Sequence, residues 1–546
     1  MAAGSGGGAR AGGAGRGPVT AAPGLDALAQ AVREVGGDEV VGDAASSAVD
    51  CRLPAPALPA LTDRLAALGL EPQWIAAADT RAASGAFTLA YRFAPPTHRP
   101  AVTARLAVGA EGAAFPSLAT RSFAASRFER EVQDLFGLVP TGHPDPRRLA
   151  LHQFWPEGYH PLRRDTATRA DVLDDGRPFP FRRVEGRGVF EITVGPVHAG
   201  IIEPGHFRFS VEGETIVNLE TRLGFVHKGT EKLFETLPLA RAPELAERIS
   251  GDTSVGHALA LCQALETLGG VRAPERAGWV RVVLLELERL YNHVGDVGMI
   301  VNDTGYAFGH AHCFRLREQL LRLNARLTGH RLLRGAVVPG GVTGPIATAE
   351  LEPAAREVER VVSEFVDIAR LSLDNTMVLE RLQGTGRLTN RTAREMQVVG
   401  MVARASGIDA DARRDAPFAA YGALPLHVPV YETGDVWART LLRIEEARQA
   451  AALIAEAARR APQGAVFAPP GPLRAGAHAT GLVEGWRGPI WHWVLAAGAD
   501  SLARVKVVDP SFRNWPALEY AVLNNIVPDF PLCNKSFNLS YSGNDL

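Results

Sequence analysis

The stretch Val282-Val283-Leu284-Leu285-Glu286-Leu287-Glu288-Arg289-Leu290-Tyr291-Asn292-His293-Val294-Gly295-Asp296-Val297-Gly298 carries two interleaved stripes. Val283, Leu287, Leu290, Val294 and Val297 recur at spacings of three and four, and so do Glu286, Arg289, His293 and Asp296. Such spacing places each set on one face of a helix. Taken alone, the polar stripe reads as a solvated face. Downstream, Val358, Val361, Val362, Phe365 and Ala369 form another apolar stripe after a helix start at Pro353, with Glu357, Arg360 and Glu364 outside. This part of the chain is mainly helical.

Strand-like patterns flank it. Gly195-Pro196-Val197-His198, Glu203 to Phe209 and Gly213-Glu214 alternate like a β-meander turning at glycines, and Arg504-Val505-Lys506-Val507-Val508 returns to strand character. Residues 187–546 therefore form one mainly helical domain with flanking β-sheet. Residues 25–165 mix short helices with period-two runs such as Phe87-Thr88-Leu89-Ala90-Tyr91-Arg92-Phe93, which predicts an α/β module. Residues 166–186 are polar and contain Asp174-Asp175-Gly176-Arg177-Pro178, a linker composition. Residues 1–24 are Gly/Ala-rich without hydrophobic periodicity and are expected to be disordered. No strand precedes these glycines, which argues against a phosphate-binding loop. The expected fold class is α+β.

At 546 residues and 46% hydrophobic content the chain has room for two or more cores. A formal charge of −2 gives no support for a nucleic-acid surface. The only lysines are Lys228, Lys232, Lys506 and Lys535, a bias that reads as compositional. Cys51, Cys262, Cys313 and Cys533 lie far apart with no Cys-x-x-Cys pair, so they read as buried free thiols in a reducing compartment. No apolar run reaches the roughly 20 residues that cross a bilayer, and the start lacks the apolar run of a signal peptide. The expected place is the cytoplasmic side of a membrane, docked through partners.

Three further segments carry a family resemblance. Phe128-Glu129-Arg130-Glu131-Val132-Gln133-Asp134-Leu135-Phe136-Gly137, Gly142-His143-Pro144-Asp145-Pro146-Arg147-Arg148-Leu149 and Pro161-Leu162-Arg163-Arg164-Asp165 resemble the hallmark segment of the 30-kDa (C) subunit of respiratory complex I. Their charges read as fixing a structure or an interface. Residues 187–546 resemble the large subunit of group 4 [NiFe] hydrogenases and its relative, the 49-kDa (D) subunit of complex I. His227-Lys228-Gly229-Thr230-Glu231-Lys232 is similar to the family's His-Arg-Gly-x-Glu-Lys, with Lys228 in place of arginine. Glu286, Arg289, His293, Asp303, Arg315 and Glu318 fall in register with a family stretch that faces a cleft.

The resemblance also exposes what is missing. Arg248-Ile249-Ser250-Gly251-Asp252-Thr253 resembles Arg-Ile-Cys-Gly-x-Cys, and Asp509-Pro510-Ser511-Phe512-Arg513-Asn514 resembles Asp-Pro-Cys-x-x-Cys. Ser250, Thr253, Ser511 and Asn514 stand where four nickel thiolates would be, and hydroxyls and an amide are poor substitutes for soft thiolates. No metal is expected on this chain. A tyrosine that serves quinone in complex I is replaced at Gly251, and its histidine partner corresponds to His198, to His206 or to neither.

The resemblance implies a peripheral-arm subunit of a membrane-bound oxidoreductase. Its partners would be a small iron–sulfur subunit with a [4Fe-4S] cluster, antiporter-like membrane subunits and quinone-site membrane subunits. Electrons would pass from that cluster to a quinone or another acceptor, coupled to ion translocation. Asp303, His293 and Glu231 are the expected charge-relay residues, and His198, His206, Lys228, Arg248 and His257 the expected cofactor-facing ones. No Gly-x-Gly-x-x-Gly follows a strand, so NADH would be oxidised elsewhere. A noncatalytic assembly scaffold is the rival reading; the missing thiolates argue against an active hydrogenase.

Overall fold

The computed structural model describes residues 23–546 except 45, 111, 168–171, 173–175, 199–201, 345 and 347. Nearly all of the glycine-rich start and part of the expected linker therefore lie outside the described residues.

Strands β1 (Asp38–Asp43), β2 (Ala48–Arg52), β3 (Glu71–Ala78), β4 (Ala86–Ala94) and β5 (Ala101–Gly109) form one sheet in the order β1-β2-β5-β4-β3. Only β2 and β5 pair in parallel. The links from β3 to β4 and from β4 to β5 are too short for a crossover, so the sheet of this α/β module is mostly antiparallel. Helices α1 (Leu25–Arg33), α2 (Leu58–Ala67) and α3 (Phe123–Phe136) pack on it. Ser122 caps α3 by accepting from Ala125 N at 3.2 Å, and Gly137 ends it in the left-handed region at φ 68°.

The charged residues of α3 are consumed in holding structure. Glu129 accepts from Leu118 N and Ser117 Oγ, and Asp134 accepts from the amides of Leu149, Ala150 and Leu151. Arg130 donates to the Arg147 and Arg148 carbonyls. Each satisfies backbone groups that no sheet or helix serves.

A second sheet, β6 (Val189–Val194), β7 (His206–Glu212) and β8 (Thr215–Arg222), is the expected antiparallel meander. Helices follow: α4 (Thr230–Thr236), α5 (Ser254–Leu268), α6 (Glu275–Asp303), α7 (Ala307–Thr328), α8 (Thr348–Leu373) and α9 (Val436–Arg460). The 29-residue α6 is about 44 Å long and packs against α7 and α9. Helix α8 begins at Thr348, ahead of Pro353. The proline is exposed and lies in the second turn, where it removes one helical hydrogen bond near the helix start.

The chain closes with a third antiparallel sheet, β9 (His478–Glu484), β10 (Pro489–Gly498) and β11 (Ser501–Val508), then α10 (Pro510–Ala521), α11 (Phe530–Phe537) and α12 (Tyr541–Asp545). Trp491, Trp493, Leu495, Val508 and Phe512 share one apolar core with the first sheet, and the Trp74 and Trp493 rings lie 6.1 Å apart. The two modules are thus joined by burial. Among the described residues no helix is long and apolar enough to cross a membrane.

Candidate functional site

The polar stripe of α6 is not solvated. Glu286, Arg289 and His293 are fully buried, and Asp296 nearly so. Partners from distant segments make this possible. Glu286 accepts from Tyr421 Oη at 2.5 Å and Arg413 Nη1 at 3.1 Å, while Arg289 reaches Glu446 at 3.0 Å. Arg404 ties Glu446 at 2.7 Å to Glu484 at 2.9 Å, and Arg413 pairs with Asp411 at 2.7 Å. Burying ions is costly unless each is paired and hydrogen-bonded, and this cluster meets that condition.

Proton affinities diverge within the cluster. Burial would raise the Glu446 carboxyl, but Arg404, His293 and Arg289 outweigh it and hold the group well below its ordinary value. At Glu484 the same Arg404 and the Ala412 amide do not suffice. Burial and the adjacent Asp411 push it up to about 7. Burial keeps His293 below its usual value despite Glu446. The neutral ring donates from Nε2 to Glu446 Oε2 at 2.9 Å, and its Nδ1 has no partner among the described residues.

The four positions of the degenerate metal motifs lie on short, buried segments near one another. Ser250 Oγ and Ser540 Oγ are 2.8 Å apart, and Ser540 N donates to Ser511 Oγ at 2.9 Å. Asp252 accepts from Ser250 and Thr253, each at 2.9 Å, and binds Arg487 through both oxygens at 2.8 and 2.7 Å. Burial opposes the charge, yet Arg487 holds Asp252 down at about 2. Asn514 both donates to and accepts from the Val399 backbone. These groups are hydroxyls and an amide already committed to other protein partners, and no group of three His, Cys, Asp or Glu that could hold a metal occurs among the described residues. The site does not fit a nickel-iron centre.

Trp486 and Arg487 connect this hydroxyl cluster to α6. Trp486 Nε1 donates to Thr253 Oγ1 at 3.1 Å, and its ring meets His293 edge-on at 6.1 Å. Arg487 donates to the Asn538 carbonyl, and Asn538 Nδ2 donates to Asp296 at 2.6 Å. Asp296 also holds Arg443 at 2.8 Å. About two turns beyond, Asp303 pairs with Lys535 on α11, and its Oδ2 has no partner among the described residues. Glu288, on another face of α6, accepts from Val255 N at 2.6 Å and Gly256 N at 3.0 Å, which anchors the start of α5.

The three expected relay residues do not meet. His293 and Asp303 are about 15 Å apart along one helix, and Glu231 belongs to a separate cluster with Arg504 at 2.5 Å and Lys506 at 3.4 Å. Lys506 also donates to both oxygens of Glu131 at 2.7 Å. Burial would raise Glu231, but Arg504 and Lys506 keep it below its ordinary value. At Glu131 burial prevails over Lys506 and keeps the carboxyl above it.

The expected cofactor-facing residues also scatter. His257 is buried, donating to Asp509 at 3.0 Å and lying 3.1 Å from His492, so its ring has both nitrogens occupied. Lys228 donates to the Arg248 and Ile249 carbonyls at 2.9 Å each, beside Ser250. Arg248 itself is exposed and reaches back to the Glu244 carbonyl. His198 lies in the turn between β6 and β7, donating to Gly205 O at 2.8 Å, whereas His206 starts β7 with Nε2 partnerless among the described residues. Sequence reasoning missed Glu446, Arg404, Arg487, Ser540 and Lys535. Of these, only Lys535 carried a signal, as one of four lysines in an arginine-rich chain.

The chain is thus two fused modules, the second built around a buried charged helix beside the Ser250, Thr253 and Ser511 cluster. Comparison with known proteins gives the class. Residues 55–172 match the family model for the 30 Kd subunit of respiratory-chain NADH dehydrogenase, and residues 303–475 match that for its 49 Kd subunit. Formate hydrogenlyase subunit 5 of Escherichia coli (strain K12) is 34% identical over 81% of this chain and 79% of its own length. Hydrogenase-4 component G of the same organism is 32% identical over 81% and 78%. The fused C/D subunit of NADH-quinone oxidoreductase from Bdellovibrio bacteriovorus is 28% identical over 62% of each chain. The chain belongs to this family of fused 30-kDa/49-kDa-type subunits of complex I-like and hydrogenase-like oxidoreductases.

Proposed function

We propose that this chain is a peripheral-arm subunit that handles charge without holding a redox centre. Electrons arrive from a [4Fe-4S] cluster on a small partner subunit and pass to a quinone or another acceptor, and the turnover is coupled to ion movement through antiporter-like membrane partners. The observation that carries this reading is the polar path from Ser250 and Thr253 through Trp486 and Arg487 to Asp296 on α6, a helix whose far end carries the separate Asp303–Lys535 pair. The hydroxyl cluster replaces the metal with self-satisfied hydrogen bonds, and α6 keeps ionisable groups in a desolvated setting where their proton affinities are spread apart.

The same self-satisfaction of Ser250, Ser511 and Ser540 also favours a second reading, a scaffold that kept the fold after losing the chemistry. Purifying the assembled complex through this chain tests both. Elemental analysis is expected to find iron and sulfide from the partner without stoichiometric nickel, together with reduction of a quinone analogue. Stoichiometric nickel with hydrogen evolution would overturn the proposal. Assembly without any acceptor reduction, under conditions that reduce the partner's cluster, would select the scaffold.

A further inference from the structure

Where the first sheet's module meets the helical part there is a cavity of about 130 Å³. It touches the buried network at one residue, Glu484. Val398, Ala403 and Ile408 give it an apolar wall; Glu71, Gln73, Arg394 and Gln397 join His98 and Arg513 on its polar side.

The polar side is unfinished. His98 is 3% exposed and Arg513 6%, yet His98 Nδ1 and Arg513 Nε have no hydrogen-bond partner among the described residues. Arg513's other nitrogens are committed, Nη1 to Gln73 Oε1 at 2.9 Å and Nη2 to Gln397 O at 2.6 Å. Buried polar groups are nearly always paired, and an orphaned one asks for a missing partner. The backbone adds a second, independent sign. His98 lines the cavity with φ 68°, in the left-handed region that non-glycine residues seldom adopt, whereas the φ of 54° at Gln397 is the usual cap of the helix Asn390–Glu395.

The missing partner can be specified chemically. An arginine Nε only donates, so it seeks an oxygen acceptor, best an anionic one. The volume approaches that of a cavity able to hold benzene, which limits a ligand to roughly six to eight heavy atoms. The apolar wall excludes a bare inorganic anion as the best fit. We propose that this cavity binds a small monocarboxylate, its carboxylate on Arg513 and His98 and its hydrocarbon part against Val398, Ala403 and Ile408. Burial beside Arg513 keeps the His98 ring neutral, with its affinity for a proton lowered to about 3, so Arg513 supplies the charge. Glu484, raised by burial and Asp411 to about 7, can carry a proton toward the ligand and need not repel it.

Calorimetry and saturation-transfer NMR on the full chain with butyrate, and with butyramide as the uncharged isostere, test this. Saturable butyrate binding is expected, with butyramide at least tenfold weaker. His98→Asn keeps a residue that tolerates the left-handed backbone and should weaken butyrate at least tenfold. Arg513→Gln should do the same, and Val398→Phe should block the cavity from its apolar wall, leaving the charges in place. Melting curves identify any variant that fails to fold. No saturable binding, equal binding of butyramide, or unchanged butyrate affinity in folded His98→Asn and Val398→Phe would each overturn the proposal.

Discussion

Asp303 sits at the C-terminal end of α6, half-buried, against the Lys535 ammonium. A carboxylate in that position is either one half of a structural ion pair or a group that takes and releases protons during turnover. Asp303→Asn keeps the size and removes the ionisable proton, so assembly should survive. General acid–base groups are worth roughly 10²–10⁴-fold in rate, so activity of the membrane complex is expected to fall at least tenfold. Lys535→Met separates the two roles, since it breaks the pair while leaving the carboxyl. Full activity in Asp303→Asn, or an identical loss in both variants, would assign Asp303 to structure. At this scale the sequence was partly legible: the motif register placed Ser250, Thr253 and Ser511 near one another. It was silent on Ser540 and Arg487, because residues that complete a pocket from nearly 300 positions away leave no local periodicity.

Among the elements, α6 shows why a polar stripe cannot be read from spacing alone. The 3.6-residue period identifies the helix and its faces, but whether a charged face meets water or Arg413 and Glu446 depends on segments more than 100 residues downstream. Glu288 illustrates the energetic consequence. Burial raises its carboxyl to about 8, although the Val255 and Gly256 amides at the start of α5 pull the other way. The folded value lies above the roughly 4.3 of an unfolded glutamate, so the folded chain binds the proton more tightly. Its contribution to stability is full below about pH 4 and is lost as pH rises toward 8, by up to about 1.4 kcal/mol per unit. Glu288→Gln can accept from one of these amides and does not titrate. The wild type should lose more stability than the variant between pH 5 and pH 8, measured as the shift in urea midpoint. Parallel curves would show that Glu288 is already ionised in the folded chain.

Across the whole molecule, two modules recognisable separately in the sequence are welded by one motif residue from each and by partners that no motif marks. Trp74 against Trp493 gives the apolar part of the weld, and Glu131, Glu231, Arg504 and Lys506 the charged part. Glu131 and Glu231 were legible as motif residues, one in each module. Lys506 looked like one residue of an alternating strand, and only the fold shows it reaching both carboxylates. Lys506→Met leaves the two buried carboxylates to share Arg504, and breaking a buried pair in this way costs about 3–5 kcal/mol. A lower urea midpoint is the expected outcome, and adding Glu131→Gln should recover part of it by removing the uncompensated charge. The double variant also tests Glu231 as a relay residue. If Glu231 only holds the modules together, restored stability should bring restored turnover in the assembled complex. If it moves protons, the Lys506→Met/Glu131→Gln chain will fold and assemble but turn over slowly, since Glu231 will have lost the lysine that keeps its proton affinity low. Unchanged stability in Lys506→Met would remove the charged cluster from the weld and leave the tryptophan core as its main support.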